Sequence, residues 1–425
     1  MSKQETPSLY DRLGPGLITG AADDDPSGIA TYSQAGAQFG FGLVWTLFLT
    51  TPLMIGIQML SARIGWVTGE GLAANISKMC PRWLTIFLVA LLVVANTINI
   101  AADIGAMGEA VRIIAGGNLA IYVIGFGTLC IATQVFFSYE KNVRILKWLT
   151  LALFAYVAVV LSVSVPWGKA ISQSLRPWAY LPANLALNDY AAIVVAVLGT
   201  TISPYLFFWQ AAQEVEDSNR RPGVAELKTH PAYVAEHLYR IKEDTFVGMT
   251  FSNLIALCIV ISTAVTLNQQ GITDIQTSTQ AAAALKPVAG EFAFELFALG
   301  IIGTGLLAVP VLAGSAAYAV SEVFGWRAGL SRGFREAKGF YLIIAVATGV
   351  GTVMSVFDVD PIKALVWSAI VNGVISVPIM AVMMWIGQSE RLMGRYTIST
   401  RHRFFGWAAK GVMAIAVGGL FATSF

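Results

Sequence analysis

Long apolar runs alternate with short polar segments along almost the whole chain of 425 residues. Eleven of these runs are long enough to cross the hydrocarbon core of a bilayer as a helix, which takes about 20 residues. They lie near residues 14–41, 43–64, 83–113, 118–137, 145–166, 188–213, 244–267, 292–320, 339–357, 361–386 and 405–424. The pattern predicts an all-α polytopic membrane protein with about eleven transmembrane helices.

Polar residues and prolines interrupt two of the runs. The first contains Asp23-Asp24-Asp25-Pro26 and the sixth contains Ser203-Pro204. Proline removes a backbone hydrogen bond and biases the preceding residue away from helical geometry. Lipid tolerates charge and non-helical backbone only where protein or water surrounds them. Two broken helices in corresponding places of two chain halves therefore indicate a transporter binding site.

The positions of the breaks divide the eleven spans into five, five and one. This division predicts an inverted repeat of five helices, with repeat one near 14–166, repeat two near 188–386 and an extra helix near 405–424. Residues 1–13 lack the apolar core of a cleaved signal and are interpreted as a cytoplasmic tail. The rest, 14–425, is expected to form a single transmembrane domain.

Lysine and arginine predict the orientation in the membrane. With the N-terminus inside, 21 of the 27 Lys and Arg residues lie in cytoplasmic segments. Positive residues concentrate on the cytoplasmic side of membrane proteins, so the topology is expected to be N-terminus inside and C-terminus outside, in the cell membrane. The net charge of +2 gives no reason to expect a nucleic-acid partner. The expected partners are a small cation and the lipid bilayer, with no obligate protein partner.

Composition agrees with the membrane interpretation, since only 12% of the residues are charged and 56% are hydrophobic. The three cysteines show no Cys-x-x-Cys spacing and predict no disulfide framework. We interpret His230, His237 and His402 as solvated loop residues because all three lie in hydrophilic segments. No nucleophile–base pair or His/Cys metal cluster is evident, so we expect neither an enzyme nor a resident cofactor.

The chemistry of the two breaks favours a cation. The first break places Asp24 and Asp25 beside main-chain carbonyls that a broken helix leaves exposed. The second offers the hydroxyls of Thr200, Thr201 and Ser203. Hard divalent cations prefer carboxylate, carbonyl and water oxygens as ligands, so the breaks together are a candidate metal site.

The third span carries a stripe of polar residues. Asn96, Asn99, Asp103 and Met107 recur at spacings of three and four, which places them on one helix face. Hydrogen bonding between helices is the simpler role for the asparagines. We expect Asp103 to face the permeation path, and Asn372 in the tenth span is a weaker candidate of the same type.

At the two breaks the chain resembles the natural resistance-associated macrophage protein (Nramp) family of metal transporters. Asp25-Pro26-Ser27-Gly28 is similar to that family's Asp-Pro-Gly-Asn signature. The segment Gly199-Thr-Thr-Ile-Ser-Pro-Tyr205 is similar to its Gly-Ala-Thr-Val-Met-Pro-His. The resemblance covers the whole eleven-span layout and implies a LeuT-like inverted repeat, with Asp25, Gly28, Thr200 and Ser203 around the metal.

The residues that differ from the family pattern indicate which ion the site prefers. Gly28 occupies the position of the family's asparagine, and Thr200 occupies that of an alanine. Ser203 replaces the family's methionine with its thioether, and Tyr205 replaces its histidine. This pattern is similar to the Nramp-related magnesium transporters, which implies transport of Mg²⁺ and also Mn²⁺ without proton coupling. A hydroxyl in place of a thioether makes the site harder, and loss of the asparagine makes it wider, which suits a cation that keeps several waters.

Two other functions remain open from the sequence. One is a conventional Nramp-type Mn²⁺/Fe²⁺–proton symporter in which water and carbonyls replace the methionine. The other is a LeuT-like carrier of an organic solute, in which broken helices hold the substrate. The Asp25 carboxylate disfavours an anionic solute because it occupies the place of the solute's own carboxylate.

Overall fold

The computed structural model describes residues 14–136, 149–176, 187–220, 231–357 and 360–424, and all regular secondary structure in these ranges is helical. Nine helices in this part of the chain are long and apolar enough to cross a membrane, or ten if one bent pair counts as a span. The predicted all-α membrane architecture is therefore confirmed. The predicted N-terminal tail, 1–13, lies outside the described residues.

In the described residues between 14 and 176 there are eight α-helices. Their bounds are α1 Pro15–Asp23, α2 Pro26–Phe39, α3 Val44–Thr68, α4 Leu72–Met79, α5 Arg82–Ala115, α6 Leu119–Phe136, α7 Phe154–Ser162 and α8 Trp167–Leu175. Both α1 and α2 begin at a proline. Proline suits the first position of a helix because its fixed φ is already helical and its missing N–H needs no partner there.

Ten more α-helices lie in the described ranges from 187 to 424. Their bounds are α9 Leu187–Thr201, α10 Pro204–Arg220, α11 Pro231–Thr266, α12 Ser278–Ala282, α13 Lys286–Ala289, α14 Ala293–Phe324, α15 Lys338–Ser355, α16 Pro361–Gln388, α17 Glu390–Met393 and α18 Thr400–Ser424. Helices α9 and α10 form the broken sixth span, as α1 and α2 form the broken first span.

The structure differs from the predicted spans in two places. In the described part of the fifth span, which was expected near 145–166, a 3-10 turn at Leu149–Leu153 leads into α7, which ends at Ser162, and α8 follows after a bend of 110°. Pro166 lies in this bend as the N-cap of α8 and restricts Val165 before it to extended backbone, so α7 and α8 cannot join as one straight helix. Helix α11 begins at Pro231, well before the predicted start near 244, because Val234 and Ile241 of its polar first half are buried against Trp66 and Ala62.

Glycines bring the broken helices close to their neighbours. A Cβ atom on Gly20 of α1 would lie 2.3 Å from the carbonyl oxygen of Gly248 in α11. A Cβ atom on Gly199 of α9 would lie 2.1 Å from the carbonyl oxygen of Ala369 in α16. Both contacts are too close for any side chain, so glycine is required where these helices touch. Such contacts place both breaks inside the helical bundle.

A carboxylate from another helix caps the start of α1. The side chain of Asp244 in α11 accepts hydrogen bonds from the backbone N–H groups of Gly14, Gly16 and Leu17, at 2.9, 2.7 and 3.0 Å. The first N–H groups of a helix have no partner within the helix, and a negative charge there is favourable. Asp244 therefore fixes the beginning of α1 to α11.

Candidate metal site at the two broken helices

The first break consists of the two residues between α1 and α2. Asp25 has extended backbone and caps α2, because its Oδ1 accepts the Gly28 N–H at 2.7 Å. Asp23, Asp24 and Asp25 are each at most 2% exposed. The break thus holds three carboxyl groups away from bulk solvent.

The second carboxylate oxygen of Asp25 contacts two other helices directly and a third through Asn99. Asn99 of α5 donates to it from Nδ2 at 3.0 Å, and the Tyr205 hydroxyl of α10 lies 3.5 Å from it. The Oδ1 atom of Asn99 accepts the Ser368 hydroxyl of α16 at 2.7 Å. Asp25 therefore lies where α2, α5, α10 and α16 meet, and Asn99 orients it.

The second break has its hydroxyl protons engaged internally. Ser203 donates to the carbonyl oxygens of Gly199 and Thr200, each at 2.8 Å, and Thr201 donates to carbonyl oxygens of its own helix. The Thr200 carbonyl oxygen thus already accepts a hydrogen bond from Ser203. A hydroxyl that donates its proton still offers oxygen lone pairs to a cation.

The two breaks touch each other. The Tyr205 hydroxyl donates to the Ala22 carbonyl oxygen at 3.1 Å. A Cβ atom on Gly28 would lie 3.2 Å from Oγ1 of Thr200 and 3.4 Å from Oδ1 of Asp25. Thr200 therefore takes up part of the space that a side chain at position 28 would use. The structure places Asp25, Gly28 and Thr200 together.

Asp23 and Asp24 contact a different helix from Asp25. The Ser252 hydroxyl of α11 lies 2.7 Å from Oδ2 of Asp23 and 3.1 Å from Oδ1 of Asp24. The Asp24 side chain, a possible path residue from the sequence, is therefore held against α11, whereas Asp25 is held by α5.

The polar residues on one face of α5 have different surroundings. Asn96 donates from Nδ2 to the Leu312 carbonyl oxygen and the Ser315 hydroxyl of α14, both at 2.8 Å, which is helix-to-helix bonding. Asp103 is fully buried, and neither of its carboxylate oxygens has a hydrogen-bond partner among the described residues. Asn372 of α16 is also buried, with both polar side-chain atoms unpartnered in the same part of the chain.

Two serines that contact the site in the structure, Ser252 and Ser368, are not indicated by the sequence. Ser252 and Ser368 lie within apolar helices, and no charge or break marks them. Ser368 precedes the candidate Asn372 by one helical turn, which is the only available signal in the sequence.

The prediction that His237 is a solvated loop residue is wrong. His237 is 4% exposed, and its ring stacks on Trp66 with 4.5 Å between centroids. It lies 3.0 Å from the guanidinium of Arg240, which also pairs with Glu214 at 2.9 Å. The early start of α11 places it in the packed bundle. His230 lies outside the described residues.

Two broken helices meeting at a buried carboxylate define a helical membrane transporter, and comparison with known proteins identifies its family. The family model "Natural resistance-associated macrophage protein-like" matches residues 16–423. The chain belongs to this family, as its two break motifs predict.

Individual relatives and solved structures match this chain over nearly its whole length. The "Divalent metal cation transporter MntH" of Acidiphilium cryptum is 26% identical over 423 residues, which cover 96% of this chain and 86% of the relative. A crystal structure of the Eremococcus coleocola manganese transporter matches with a TM-score of 0.75 at 16% identity, covering 97% of this chain and 87% of the other. A nucleobase-cation-symport-1 family transporter matches with a TM-score of 0.54 at 12% identity, covering 100% and 96%. The predicted transporter fold is confirmed, and these relatives are transporters and not enzymes.

Proposed function

We propose that the protein is a divalent metal cation transporter that carries Mg²⁺, and also Mn²⁺, into the cell by alternating access and without proton coupling. The observation that supports it most is the Asp25 carboxylate, held between Gly28 and Asn99 at the point where both broken helices meet. The similarity to a divalent metal cation transporter and to a manganese transporter supports the divalent-metal part of the proposal.

Asp25 supplies the charge, and the neighbouring oxygens complete the set of ligands. Thr200 and Ser203 contribute hydroxyl oxygens from the second break, and Gly28 has no side chain, so the space beside Asp25 is filled only in part, by Thr200. The second break, 198–205, contains no methionine. A site of oxygen ligands favours hard cations over the softer Cd²⁺.

Asp25 is the one carboxylate of the first break that contacts α5 and α10, and a single direct carboxylate favours Mg²⁺. Mg²⁺ dehydrates reluctantly and is usually bound through one or two carboxylates while it keeps several waters. Ca²⁺ takes more ligands at longer distances, which this arrangement does not offer. Mn²⁺ accepts the same oxygen ligands and follows the same route.

Tyr205 supports transport without proton coupling. A histidine at this position would titrate near neutral pH, whereas a phenol does not. The Tyr205 hydroxyl also has a structural task, since it donates to the Ala22 carbonyl oxygen. The proposal therefore assigns Tyr205 to joining the breaks and not to carrying a proton.

The conformation is one in which the site is closed to both sides, because Asp25, Thr200 and Ser203 are each at most 2% exposed. With the N-terminus inside, α1 and the end of α10 face the cytoplasm. Opening towards the cytoplasm then requires α1 to part from α11, where Asp244 holds it.

Uptake by purified protein in liposomes tests the proposal. We expect wild-type protein to carry Mg²⁺ and Mn²⁺ well and Ca²⁺ poorly, and Asp25→Ala to carry none of them. Asp24→Asn is the matched control, because Asp24 contacts Ser252 and not Asn99; it should lose less activity. Near wild-type Mg²⁺ uptake by a correctly folded Asp25→Ala protein would refute the site.

A further inference from the structure

Two buried polar side chains flank the Asp25 site without any hydrogen-bond partner. Asp103 follows Asn99 by four residues in α5, and Asn372 follows Ser368 by four residues in α16. Asn99 and Ser368 are themselves bonded to each other, and Asn99 is bonded to Asp25. Four residues of helix correspond to about 6 Å along its axis. Each unpartnered group therefore lies one helical turn from the level of Asp25.

The two groups lie on opposite sides of Asp25 along the membrane normal. Helix α5 starts inside and α16 starts outside in the proposed topology, so they run in opposite directions. A step of four residues goes outward in α5 and inward in α16. Asp103 is thus one turn outside the Asp25 level, and Asn372 is one turn inside it.

A buried polar atom without a partner is costly, and a buried carboxylate is more so. Asp103 is fully buried, and both of its oxygens are unpartnered in the described part of the chain. A protein that kept Asp103 only for packing would be more stable with an apolar residue there.

We infer that Asp103 and Asn372 are two subsites through which the cation passes in sequence, before and after Asp25. This inference rests on the proposed function. The outer subsite offers two carboxyl oxygens, so it attracts a cation that still holds most of its water. The inner subsite is a neutral amide, which binds the cation more weakly than Asp25 and lets it leave towards the cytoplasm.

The two subsites therefore act on different kinetic parameters. Loss of the outer carboxyl group reduces capture of the cation, and loss of the inner amide slows its release from Asp25. Asp103→Asn is expected to lower kcat/KM for Mg²⁺ by about tenfold while kcat at saturating Mg²⁺ changes little. Asn372→Leu is expected to lower kcat with a smaller change in kcat/KM.

Glu109→Gln is the matched control for Asp103→Asn. Glu109 lies on the same helix and loses the same charge by the same kind of change, but it is paired with Arg112 near the end of α5. A charge near the surface is screened by salt, so Glu109→Gln should change kcat/KM by less than about twofold.

Mg²⁺ uptake kinetics in proteoliposomes, together with thermal unfolding in the absence of divalent cations, test the inference. We expect Asp103→Asn to unfold at the same or a higher temperature than wild type, because an unpartnered buried carboxylate is removed. A lower unfolding temperature with unchanged kinetics would instead show a structural role and overturn the inference. Equal kinetics for Asp103→Asn and Glu109→Gln would overturn it as well. Absence of metal uptake by wild-type protein would refute the proposed function itself, which separates the two failures.

Discussion

The Tyr205 hydroxyl donates a hydrogen bond to the Ala22 carbonyl oxygen at 3.1 Å, and this contact joins the two broken helices directly. Ala22 lies in the last turn of α1, where carbonyl groups have no partner within the helix. Tyr205 lies in the first turn of α10. The end of one helix and the beginning of another are thus tied beside Asp25, and movement of α1 requires this bond to move or break.

Removal of the Tyr205 hydroxyl should weaken cation binding without changing the preference among cations. A single neutral hydrogen bond contributes about 0.5–1.5 kcal/mol, so Tyr205→Phe should raise KM for Mg²⁺ by roughly two- to tenfold. Uptake kinetics measure this. Tyr341→Phe is the control, because the Tyr341 hydroxyl also donates to a carbonyl oxygen, that of Arg332, but in another part of the molecule. An equal rise in KM for both variants would contradict a specific role for Tyr205.

Ser368 should act on the site only through Asn99. Ser368→Ala removes the hydrogen bond that orients the Asn99 amide, and Asn99→Ala removes the donor to Asp25. Each change alone should raise KM for Mg²⁺, and the double variant should be no worse than Asn99→Ala, with a coupling of about 0.5–3 kcal/mol. A double-mutant cycle of KM values measures this coupling. Additive effects would show that Ser368 acts independently of Asn99.

The ion preference should shift when the family residues are restored. Ser203→Met with Gly28→Asn adds a thioether and an amide, so Cd²⁺ or Mn²⁺ binding should increase relative to Mg²⁺. The amide is crowded, because a Cβ atom at position 28 lies 3.2 Å from Oγ1 of Thr200. We therefore expect Thr200→Ala to improve the double variant. Competition of Cd²⁺ with Mg²⁺ uptake measures the shift, and an unchanged ratio would place selectivity elsewhere.

Cysteine labelling should establish the topology. In a background without Cys80, Cys130 and Cys258, Lys286→Cys should react with an impermeant maleimide in intact cells, and Ala235→Cys should not. Both positions are exposed on the protein surface, so the side of the membrane on which each lies, and not its burial, decides whether the reagent reaches it. Permeabilised cells provide the control in which both react. The opposite pattern in intact cells would invert the topology.

The sequence predicts the spans and the breaks well because their signals are local. Charge and proline within an apolar run are visible without tertiary structure, and the spacing of Asn99 and Asp103 gives their common helix face. The contacts of Asn99 with Asp25 and Ser368 depend on three helices that are distant in the chain. Periodicity cannot show which of two asparagines on one face reaches the site, and only the structure separates Asn96 from Asn99.

The wrong and missing sequence predictions have one physical cause, which is packing between distant parts of the chain. The burial of His237 depends on packing of the polar start of α11 against α3, which a hydropathy pattern does not show. The expected space beside Gly28 is partly filled by Thr200 of α9, a contact between the two halves of the chain. Ser252 and Ser368 have no neighbouring charge or break that could mark them. Contacts between helices that are far apart in the chain decided each of these cases.

Simultaneous measurement of metal uptake and lumenal pH in proteoliposomes tests the central claim most directly. Wild-type protein in an inward Mg²⁺ or Mn²⁺ gradient should take up both ions with no matching acidification of the lumen, and millimolar-range Mg²⁺ should compete with Mn²⁺. Asp25→Ala vesicles, prepared identically, give the background for both signals. Uptake of Mn²⁺ with stoichiometric acidification, without Mg²⁺ flux and without competition by Mg²⁺, would contradict the account and assign the protein to the proton-coupled manganese symporters.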